Sequence, residues 1–475
     1  MYIRNEDTIC APATVPGTGA ISVIRVSGPQ ALEIADKVIK CRKGTISSAK
    51  GYTLKFGAIL DASGAVIDEV LASVFCAPHS YTGENSVEIS CHASSYIVST
   101  VLGLLHEAGA RAAEPGEFTQ RAYLNGKMDL AQAEAVADVI ASQNAAAHRI
   151  AFKQMKGGFS SELRDMRGEL LELVSLMELE LDFSEEEVEF ADRSRLDSLL
   201  SQIISHVSRL IDSFRLGNAI KNGVPVAIAG ATNTGKSTLL NALLGEDRAI
   251  VSDIHGTTRD TIEETLNIDG VLFRFIDTAG LRETDEVVEQ IGIERTFKKI
   301  SEASVVLGMV DLTRDVDTTR ETVRSIIEKV DFSCQKLVFL LNKADIADAS
   351  TKALVTSLIT SELDTKVNVS DAAILAISAK SQTGLNDLRT LLASSQRDLL
   401  ADSDTTLVTN QRHIQALTDA RTSLWRVSEG LASGLPTDLA AQDIREAIYH
   451  LGSIVGEISS DEVLGNIFRN FCIGK

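Results

Sequence analysis

The segment that most constrains the fold is residues 230–237, which read Gly-Ala-Thr-Asn-Thr-Gly-Lys-Ser. It fits the pattern G-x-x-x-x-G-K-[ST] and lies between the apolar run Val224–Ala229 and a helix-favouring segment, Ser237–Leu244. In a strand–loop–helix setting the glycines let backbone N–H groups turn toward phosphate oxygens. Lys236 then reaches the β- and γ-phosphates, and the Ser237 hydroxyl can bind Mg²⁺. The run therefore predicts an α/β domain that binds a nucleoside triphosphate.

The segments that follow alternate between buried strands and helices as far as about Leu392. This alternation is typical of a doubly wound parallel sheet, and together with the phosphate loop it predicts a Ras-like domain. The strands are predicted at Val224–Ala229, Val271–Ile276, Ser304–Val310, Lys336–Leu341 and Ala373–Ile377.

Four short motifs follow the phosphate loop in order, in a polar loop or at a predicted strand end. Thr258 could complete the Mg²⁺ shell, Asp277 would hold Mg²⁺ through water, and the Gly280 N–H would meet the γ-phosphate. The Asp345 carboxylate can accept from N1–H and N2–H₂ of guanine, a pair of donors that adenine lacks. The run Ser378–Lys380 would support the base. Because the carboxyl ends of parallel strands meet at one sheet edge, the set predicts a domain that binds and hydrolyses GTP and rejects ATP.

The residue after the Asp277–Gly280 motif is Leu281, where Ras-like enzymes place a glutamine that orients water. Leucine cannot orient water, and no arginine is an evident finger. Asn233 and the oxygen-rich loop 252–257 could surround a monovalent cation beside the phosphates, although Asn233 could instead only form the turn. The predicted GTP-binding residues are Asn233, Gly235, Lys236, Ser237, Thr238, Ser252, Thr257, Thr258, Asp277, Gly280, Asn342, Lys343, Asp345, Ser378, Ala379 and Lys380.

The sequence outside the G domain shows two kinds of pattern. The first 120 residues are predicted to be α/β, with β-rich runs such as Ala20–Val26 and Val70–Phe75. From Gly126 to about Leu216 the chain is predicted to be helical. Its clearest signals are the Ala-rich run Ala131–Ala147 and an apolar stripe with steps of three and four. The stripe residues are Leu163, Met166, Leu170, Leu173 and Met177.

Helical sequence returns in the tail, Asp404–Lys475, after the α/β insert. We therefore predict a multi-domain α/β protein in which a discontinuous helical domain is interrupted by the inserted G domain. The predicted boundaries are 1–122 for an N-terminal α/β domain, 123–220 for the first helical part, 221–396 for the G domain and 397–475 for the second helical part.

Composition excludes several classes of protein. The net charge is −20, from 46 basic and 66 acidic residues, which argues against non-specific nucleic-acid binding and leaves only a local basic patch for any RNA contact. No apolar run approaches the roughly 18 residues that a membrane span needs. The start shows no signal-peptide pattern, and the six cysteines include no C-x-x-C. These features predict a cytoplasmic protein with reduced thiols.

Motifs along the whole chain resemble those of the MnmE (TrmE) family of tRNA-modification GTPases. The N-terminal matches are Asp7–Ile9, Ile24–Gly28, Ser80–Glu84, Pro115–Thr119 with Arg121-Ala122, Leu124–Leu130 and Gln132–Ala135. Further matches are Gly256–Asp260, Asp277–Glu283 and the ending Phe471–Lys475.

The resemblance implies ligands for the N-terminal and G domains. The N-terminal domain would form a homodimer and bind a tetrahydrofolate one-carbon donor through Arg25, Glu84, Lys127 and Lys475. The K⁺ ligands would be Asn233, Ser252, Ile254 and Thr257, and the Mg²⁺ ligands Ser237 and Thr258. Arg25, Glu84 and Lys127 could alternatively form a structural ion-pair set.

The resemblance also implies a reaction. Glu289 would be the catalytic glutamate that acts on water. Cys472 is a further candidate catalytic residue on chemical grounds, because a thiol near a bound one-carbon donor could be a nucleophile or could orient the donor. Alternatively, Glu289 is a solvated helix charge and Cys472 a small buried hydrophobe. The partner would be MnmG, an FAD protein, in a heterotetramer. Together they would add an aminomethyl or carboxymethylaminomethyl group to C5 of the wobble uridine of certain tRNAs.

Two other functions are alternatives for a chain with a G domain. One is an RNA-binding ribosome-assembly GTPase of the Era or Der type, and the other is a dimerising signalling switch without one-carbon chemistry. The first would be expected to carry a second G domain or a C-terminal RNA-binding module. The sequence shows one phosphate loop and an acidic helical tail. An intact folate pocket would argue against the second.

Overall fold

The computed structural model describes residues 7–61, 63–182, 193–245, 264–276, 300–364, 372–395, 406–433, 437–458, 461–469, 471 and 474. The chain divides into two compact units. Unit 1 comprises Met1–Ala141, Ala151–Ser208 and Arg412–Lys475, and unit 2 comprises Ser142–Ile150 and Arg209–Gln411. The four-domain division made from the sequence stays a prediction. Within the described residues no helix is long and apolar enough to span a membrane.

Unit 1 contains a seven-stranded, mostly antiparallel sheet. Its strands are β1 (Ile9–Pro12), β2 (Ile21–Ser27), β3 (Ile39–Cys41), β4 (Thr53–Leu60), β5 (Val66–Phe75), β6 (Ser86–His92) and β7 (Arg111–Ala112). The strand order is β3-β4-β5-β6-β2-β1-β7, which places β3 at one edge. Helices α1 (Ala31–Val38) and α2 (Ser95–Ala108) cover one face because their apolar residues pack on alternate, inward-facing strand residues.

The helical part of the chain follows α3 (Glu117–Leu124). Its helices are α4 (Leu130–Ala141), α5 (Ala145–Met155), α6 (Gly158–Asp182) and α7 (Arg193–Asn222). All five residues of the predicted apolar stripe are buried on α6, as a helical repeat requires. The helix expected over Ala131–Ala147 is instead broken at residues 142–144, because the Asn144 side chain accepts from the Ala147 N–H at 2.8 Å and starts α5.

Unit 2 contains a six-stranded sheet whose five predicted strands are confirmed within one or two residues. They are β8 (Val224–Ala229), β10 (Val271–Phe275), β11 (Val305–Asp311), β12 (Lys336–Asn342) and β13 (Ala372–Ala376), and they pair in parallel. The sheet is not wholly parallel, because an additional strand, β9 (Glu264–Ile268), pairs antiparallel with β10 at the edge. The helices are α8 (Lys236–Gly245), α9 (Val316–Ile327), α10 (Ala349–Asp364) and α11 (Leu385–Ser395).

The C-terminal segment is helical, as predicted. It forms α12 (Gln411–Ala432), α13 (Thr437–Val455) and α14 (Asp461–Phe468). Leu130 and Ala133 of α4 and Leu464 and Phe468 of α14 belong to one apolar cluster. Unit 1 is therefore held together by residues that lie more than 300 positions apart in the sequence.

Candidate functional site

The phosphate loop of unit 2 connects β8 to α8, as the sequence predicts. Asn233 adopts a left-handed backbone with φ +62°, and Gly235 has φ +96°. A Cβ on Gly235 would lie 2.5 Å from the Asn342 Nδ2 atom, and a Cβ on Gly230 would lie 2.5 Å from the Met309 carbonyl oxygen. Glycine is therefore required at both positions to let the loop approach the neighbouring strands.

Lys236 occupies the first turn of α8, and its ammonium group folds over the loop. Nζ donates to the carbonyl oxygens of Gly230 and Ala231, both at 2.8 Å. Burial lowers the pKa of Lys236, and the nearby charge of Arg314 lowers it further. Ser237 and Thr238 lie on the same first turn, where a helix N-terminus favours anions. The loop, the helix end and the lysine together form a surface suited to phosphate groups.

Arg314 follows β11, and its guanidinium donates to the Thr232 carbonyl oxygen of the loop. This arginine is not among the residues predicted from the sequence, because it belongs to no motif and lies 82 residues from Thr232. Its role is to hold the outside of the phosphate loop. Its positive charge also adds to that of Lys236.

Asn342, at the end of β12, joins two loops that the sequence assigned to different parts of a nucleotide. Its Nδ2 donates to the Thr234 carbonyl oxygen at 2.7 Å, and its Oδ1 accepts from the Ala379 N–H at 3.0 Å. Only 3% of Asn342 is exposed, so both hydrogen bonds are shielded from water. Asn342 therefore braces the phosphate loop against the Ser378–Lys380 segment.

The remaining base-side residues lie near this brace. Lys343 adopts φ +63°, and its Nζ lies 2.7 Å from Asp311 Oδ2. Burial opposes ionisation of Asp311, but hydrogen bonds from Lys343 and Thr313 outweigh it and lower the pKa of that carboxyl. Asp345 is exposed just beyond the strand, where its carboxylate is accessible to a base.

The loop after β13 also lies at the carboxyl edge of the unit 2 sheet. Ser378 and Ala379 are buried, and Lys380 is exposed. The Ser378 Oγ accepts from the Ser381 N–H at 3.2 Å, which shapes the turn. The structure thus brings together the described residues predicted to bind GTP at the carboxyl edge of one sheet. Their contacts with GTP stay predictions. Ser252, Ile254, Thr257, Thr258, Asp277, Gly280 and Glu289 lie outside the described residues.

A second cluster of predicted site residues lies in unit 1. The Arg25 side chain on β2 pairs with Glu88 of β6, with Nη2 2.9 Å from Oε1. Its guanidinium carbon also lies 5.1 Å from the ring centre of Tyr81 and 5.5 Å from that of Phe118. The guanidinium is thereby fixed between a carboxylate and two aromatic rings.

Glu84 is positioned by two groups. Its Oε2 accepts from the Ser27 Oγ at 2.8 Å, and its Oε1 accepts from the Arg121 Nη1 at 3.2 Å. Arg121 is completely buried and also binds Asp7 and Glu117, at 2.7 and 3.0 Å. A hydrogen bond from Arg111 lowers the pKa of Asp7, and Arg121 adds to the effect. Asp7 and Arg121 belong to the sequence motifs, but their role in holding Glu84 could not be predicted, because it depends on contacts between distant segments.

Lys127 lies beside the same loop. Its Nζ donates to the Pro78 carbonyl oxygen at 3.0 Å, and a Cβ on Gly83 would lie 3.3 Å from its side chain. Arg25, Glu84 and Lys127 are therefore held by separate partners, and the described contacts do not form the ion-pair set among the three that was the alternative. Their contacts with a folate stay predictions.

The C-terminal tail reaches this part of unit 1. Gly474 is buried, and a Cβ there would clash with the Pro12 carbonyl oxygen at the end of β1. In the register of β1 and β2, Ala11 is opposite Arg25. Gly474 thus lies against Pro12, the neighbour of the residue that is opposite Arg25. Cys472 and Lys475 lie outside the described residues.

Comparison with known proteins covers nearly the whole chain. The family model described as the TrmE N-terminus of a GTP-binding protein matches residues 8–127, and that of the MnmE helical domain matches residues 130–472. The protein named tRNA modification GTPase MnmE in Parabacteroides distasonis is 53% identical over 472 residues, covering 98% of this chain and 100% of the relative. The proteins of the same name in Bacteroides thetaiotaomicron and Flavobacterium johnsoniae are 52% and 50% identical, each covering 99% of this chain and 100% of the relative. With half of its residues identical from end to end, and with a phosphate loop built as the sequence requires, the chain belongs to the MnmE family of GTPases.

Proposed function

We propose that the protein hydrolyses GTP to drive steps in the modification of the tRNA wobble uridine. The observation that carries the GTPase part is the buried Asn342 brace, which joins the phosphate loop to the Ser378–Lys380 loop. The tRNA part is supported by the printed name of the full-length relatives. GTP binding at one edge of the sheet can then be converted into movement of segments that sense the γ-phosphate.

Each nucleotide contact in the proposal has a physical role. Lys236 and the start of α8 stabilise the negative charge of the β- and γ-phosphates. Asp345 selects guanine by accepting from its two donors. Ser237 and Thr258 would hold Mg²⁺, and a half-buried hydroxyl at the start of a helix suits this oxygen-seeking cation. When bound, Mg²⁺ neutralises charge that develops on the phosphate oxygens.

The proposed GTPase is activated by potassium. The K⁺ ligands would be Asn233, Ser252, Ile254 and Thr257. Support comes from Leu281, which cannot orient water, and from Asn233, whose left-handed backbone holds an exposed amide at the loop. Amide and carbonyl oxygens fit a large monovalent cation, which would supply positive charge where other GTPases use an arginine.

Turnover in potassium and in sodium tests this activation. Arginine fingers are worth roughly 10³- to 10⁵-fold in rate, and we expect K⁺ to supply a sizeable part of that. Asn233→Ala should lose the stimulation, whereas the matched loop variant Thr232→Ala should keep it. Equal turnover in both salts, or full stimulation of the Asn233 variant, would refute potassium activation.

Glu289 is proposed to position the attacking water through a second water molecule. Another group must take this role because Leu281 stands where Ras-like enzymes have a glutamine, and the family resemblance points to Glu289. Asp277 and Gly280 would act beside it on the Mg²⁺ shell and the γ-phosphate.

The unit 1 cluster is proposed to bind a tetrahydrofolate one-carbon donor through Arg25, Glu84, Lys127 and Lys475. The Glu84 carboxylate, fixed by Ser27 and Arg121, can accept from N–H groups of a reduced pterin. The cations can pair with the carboxylates of the glutamate tail. Burial of Gly474 against Pro12 supports a place for the tail beside this cluster.

Titration with a reduced folate tests the pocket. A hydrogen bond to a charged group contributes about 1.5–3 kcal/mol, so Glu84→Gln should weaken binding by about 10- to 100-fold. Glu107→Gln, an exposed change of the same charge in unit 1, should bind normally. Unchanged affinity of the Glu84 variant would remove that residue from the pocket.

The assembly is proposed to be a cytoplasmic homodimer that joins MnmG, an FAD protein, in a heterotetramer. This complex would act on C5 of the wobble uridine and install an aminomethyl or carboxymethylaminomethyl group. Light scattering on the purified chain, alone and with the partner, tests the stoichiometry. A monomer at micromolar concentration would contradict the homodimer.

A further inference from the structure

One surface stretch departs sharply from the acidic character of the chain. Residues 37–60 contain no aspartate or glutamate, although the whole chain has 66 acidic and 46 basic residues. Six basic residues lie within it: Lys37, Lys40, Arg42, Lys43, Lys50 and Lys55. We call this set the basic edge.

The fold gathers these charges at one side of unit 1. The stretch runs from the end of α1 through β3, the terminal strand of the sheet, and returns in β4. Lys40 is opposite Ala58 in the β3–β4 register, and the Arg42 N–H donates to the Phe56 carbonyl oxygen at 3.0 Å. Lys55 Nζ on β4 donates to the Lys43 carbonyl oxygen at 3.4 Å, which holds the start of the β3–β4 loop beside β4.

Most of the charge is available to solvent. Lys37, Lys40, Arg42, Lys43 and Lys50 are all exposed. The nearest carboxylates do little to neutralise them. Asp36 accepts from the backbone N–H groups of Ile46 and Ser47, at 2.5 and 2.9 Å, and so shapes the loop. Glu69 forms a 3.3 Å pair with Arg42, but both side chains are more than half exposed, and such pairs are weak.

Aromatic side chains lie among the cations. Tyr52 is exposed in the loop, and the Arg42 guanidinium lies 4.5 Å from the ring centre of Phe56. Cations bind phosphates without sequence preference, and exposed rings or a guanidinium plane can stack on unpaired bases. A patch of this composition on an acidic body fits single-stranded or looped RNA.

We propose that the basic edge is the surface of this chain that contacts tRNA. The proposal rests on the proposed function in tRNA modification. Because the chain as a whole carries a net charge of −20, its long-range field disfavours RNA, and a local positive patch favours one face of unit 1 for contact with the polyanion.

The test compares two triple variants of the full-length chain. K40Q/K43Q/K50Q neutralises the basic edge, and K329Q/K336Q/K352Q makes the same charge change in unit 2. Affinity for a tRNA with a wobble uridine is measured over a range of salt concentrations. Each lost phosphate contact reduces the slope of log affinity against log salt by roughly 0.7 to 0.9, so we expect a decrease of about 2. We also expect the basic-edge variant to bind at least about tenfold more weakly.

Further measurements separate the alternatives. Potassium-stimulated GTP turnover and oligomeric state should be unchanged in both variants, which excludes misfolding. Wild-type affinity for tRNA retained by K40Q/K43Q/K50Q would overturn the surface assignment and leave the proposed function intact. If K40Q/K43Q/K50Q keeps its affinity for tRNA but no longer binds the FAD partner, the basic edge is a protein contact instead. No binding of tRNA by the unmodified chain would overturn both the patch and a direct tRNA contact.

Discussion

The buried cluster around Glu134 provides the sharpest test of how unit 1 is held together. Glu134 on α4 accepts from Arg412 in a two-point pair, with Nε–Oε1 and Nη2–Oε2 both at 3.0 Å. His413 Nε2 lies 2.6 Å from Glu134 Oε2. Arg412 also donates to the carbonyl oxygens of Ser453 and Ile454, at 2.7 and 2.9 Å. The carboxylate thereby joins α4 to α12, and the Arg412 side chain that it holds joins α12 to α13.

Replacing Glu134 with glutamine should destabilise unit 1 strongly. Burial disfavours the charged form, but the charges and hydrogen bonds of His413 and Arg412 outweigh it and lower the pKa of Glu134 from 4.5 to about 2. At about 1.4 kcal/mol per pKa unit, this difference corresponds to about 3 kcal/mol of stability at pH 7. The glutamine variant also leaves the Arg412 charge without its carboxylate, and breaking a buried pair costs about 3–5 kcal/mol. We expect a loss of about 3–5 kcal/mol in the free energy of unfolding.

The pH dependence has a defined sign. Because the folded pKa is lowered, the stabilisation is complete above pH 4.5 and is lost as the pH falls toward 2. Between pH 5 and pH 3 the unmodified protein should lose about 2 kcal/mol more than Glu134→Gln, which lacks the titrating group.

The single tryptophan makes the assay local. Trp425 lies on α12, the helix that carries Arg412 and His413, and is 49% exposed. Urea unfolding followed by the fluorescence of Trp425 therefore reports on unit 1, even if unit 2 unfolds in a separate transition. Glu429→Gln, an exposed change on the same helix, is the control and should stay within about 0.5 kcal/mol of the unmodified protein. If the two variants unfold at the same urea concentration, or respond equally to pH, the reasoning is wrong.

The remaining predictions concern the nucleotide and the tail. Asp345→Asn replaces an acceptor with a donor, so the ratio of xanthine to guanine nucleotide affinities should rise, by up to roughly 10⁴-fold; an unchanged preference for GTP in a competition titration would contradict the base assignment. Glu289→Ala should decrease potassium-stimulated turnover by about 10²-fold or more while GTP affinity is kept, because it acts only in the transition state; near-normal turnover would exclude it. Cys472→Ser, or removal of the last four residues, should keep most GTP turnover but lose wobble-uridine modification when the FAD partner is added. Full modification by the shortened chain would make the tail structural, and loss of both activities would indicate misfolding.

Local patterns were sufficient to predict much of the framework. The five core strands of unit 2 are short apolar runs, and the α6 stripe repeats at helical spacing, so both are visible within a few residues. The edge strand β9 was not predicted, because only Leu266 and Ile268 of its five residues are buried and its pattern is short. The break at residues 142–144 was missed for a related reason, since alanine propensity masked the Asn144 cap.

The sequence by itself determined the kind of site in unit 2. A phosphate loop works through its own backbone and one lysine, and two of the later motifs, Asn342–Asp345 and Ser378–Lys380, follow parallel strands and so lie at the same edge. Tertiary structure alone decided what holds these parts in place. The brace by Asn342 joins residues 108 apart in the sequence, and Arg121 reaches Asp7 over 114 and Glu84 over 37. No periodic pattern encodes such contacts, because a buried polar side chain is placed by whichever distant backbone carbonyl or carboxylate must be satisfied when the chain closes around it.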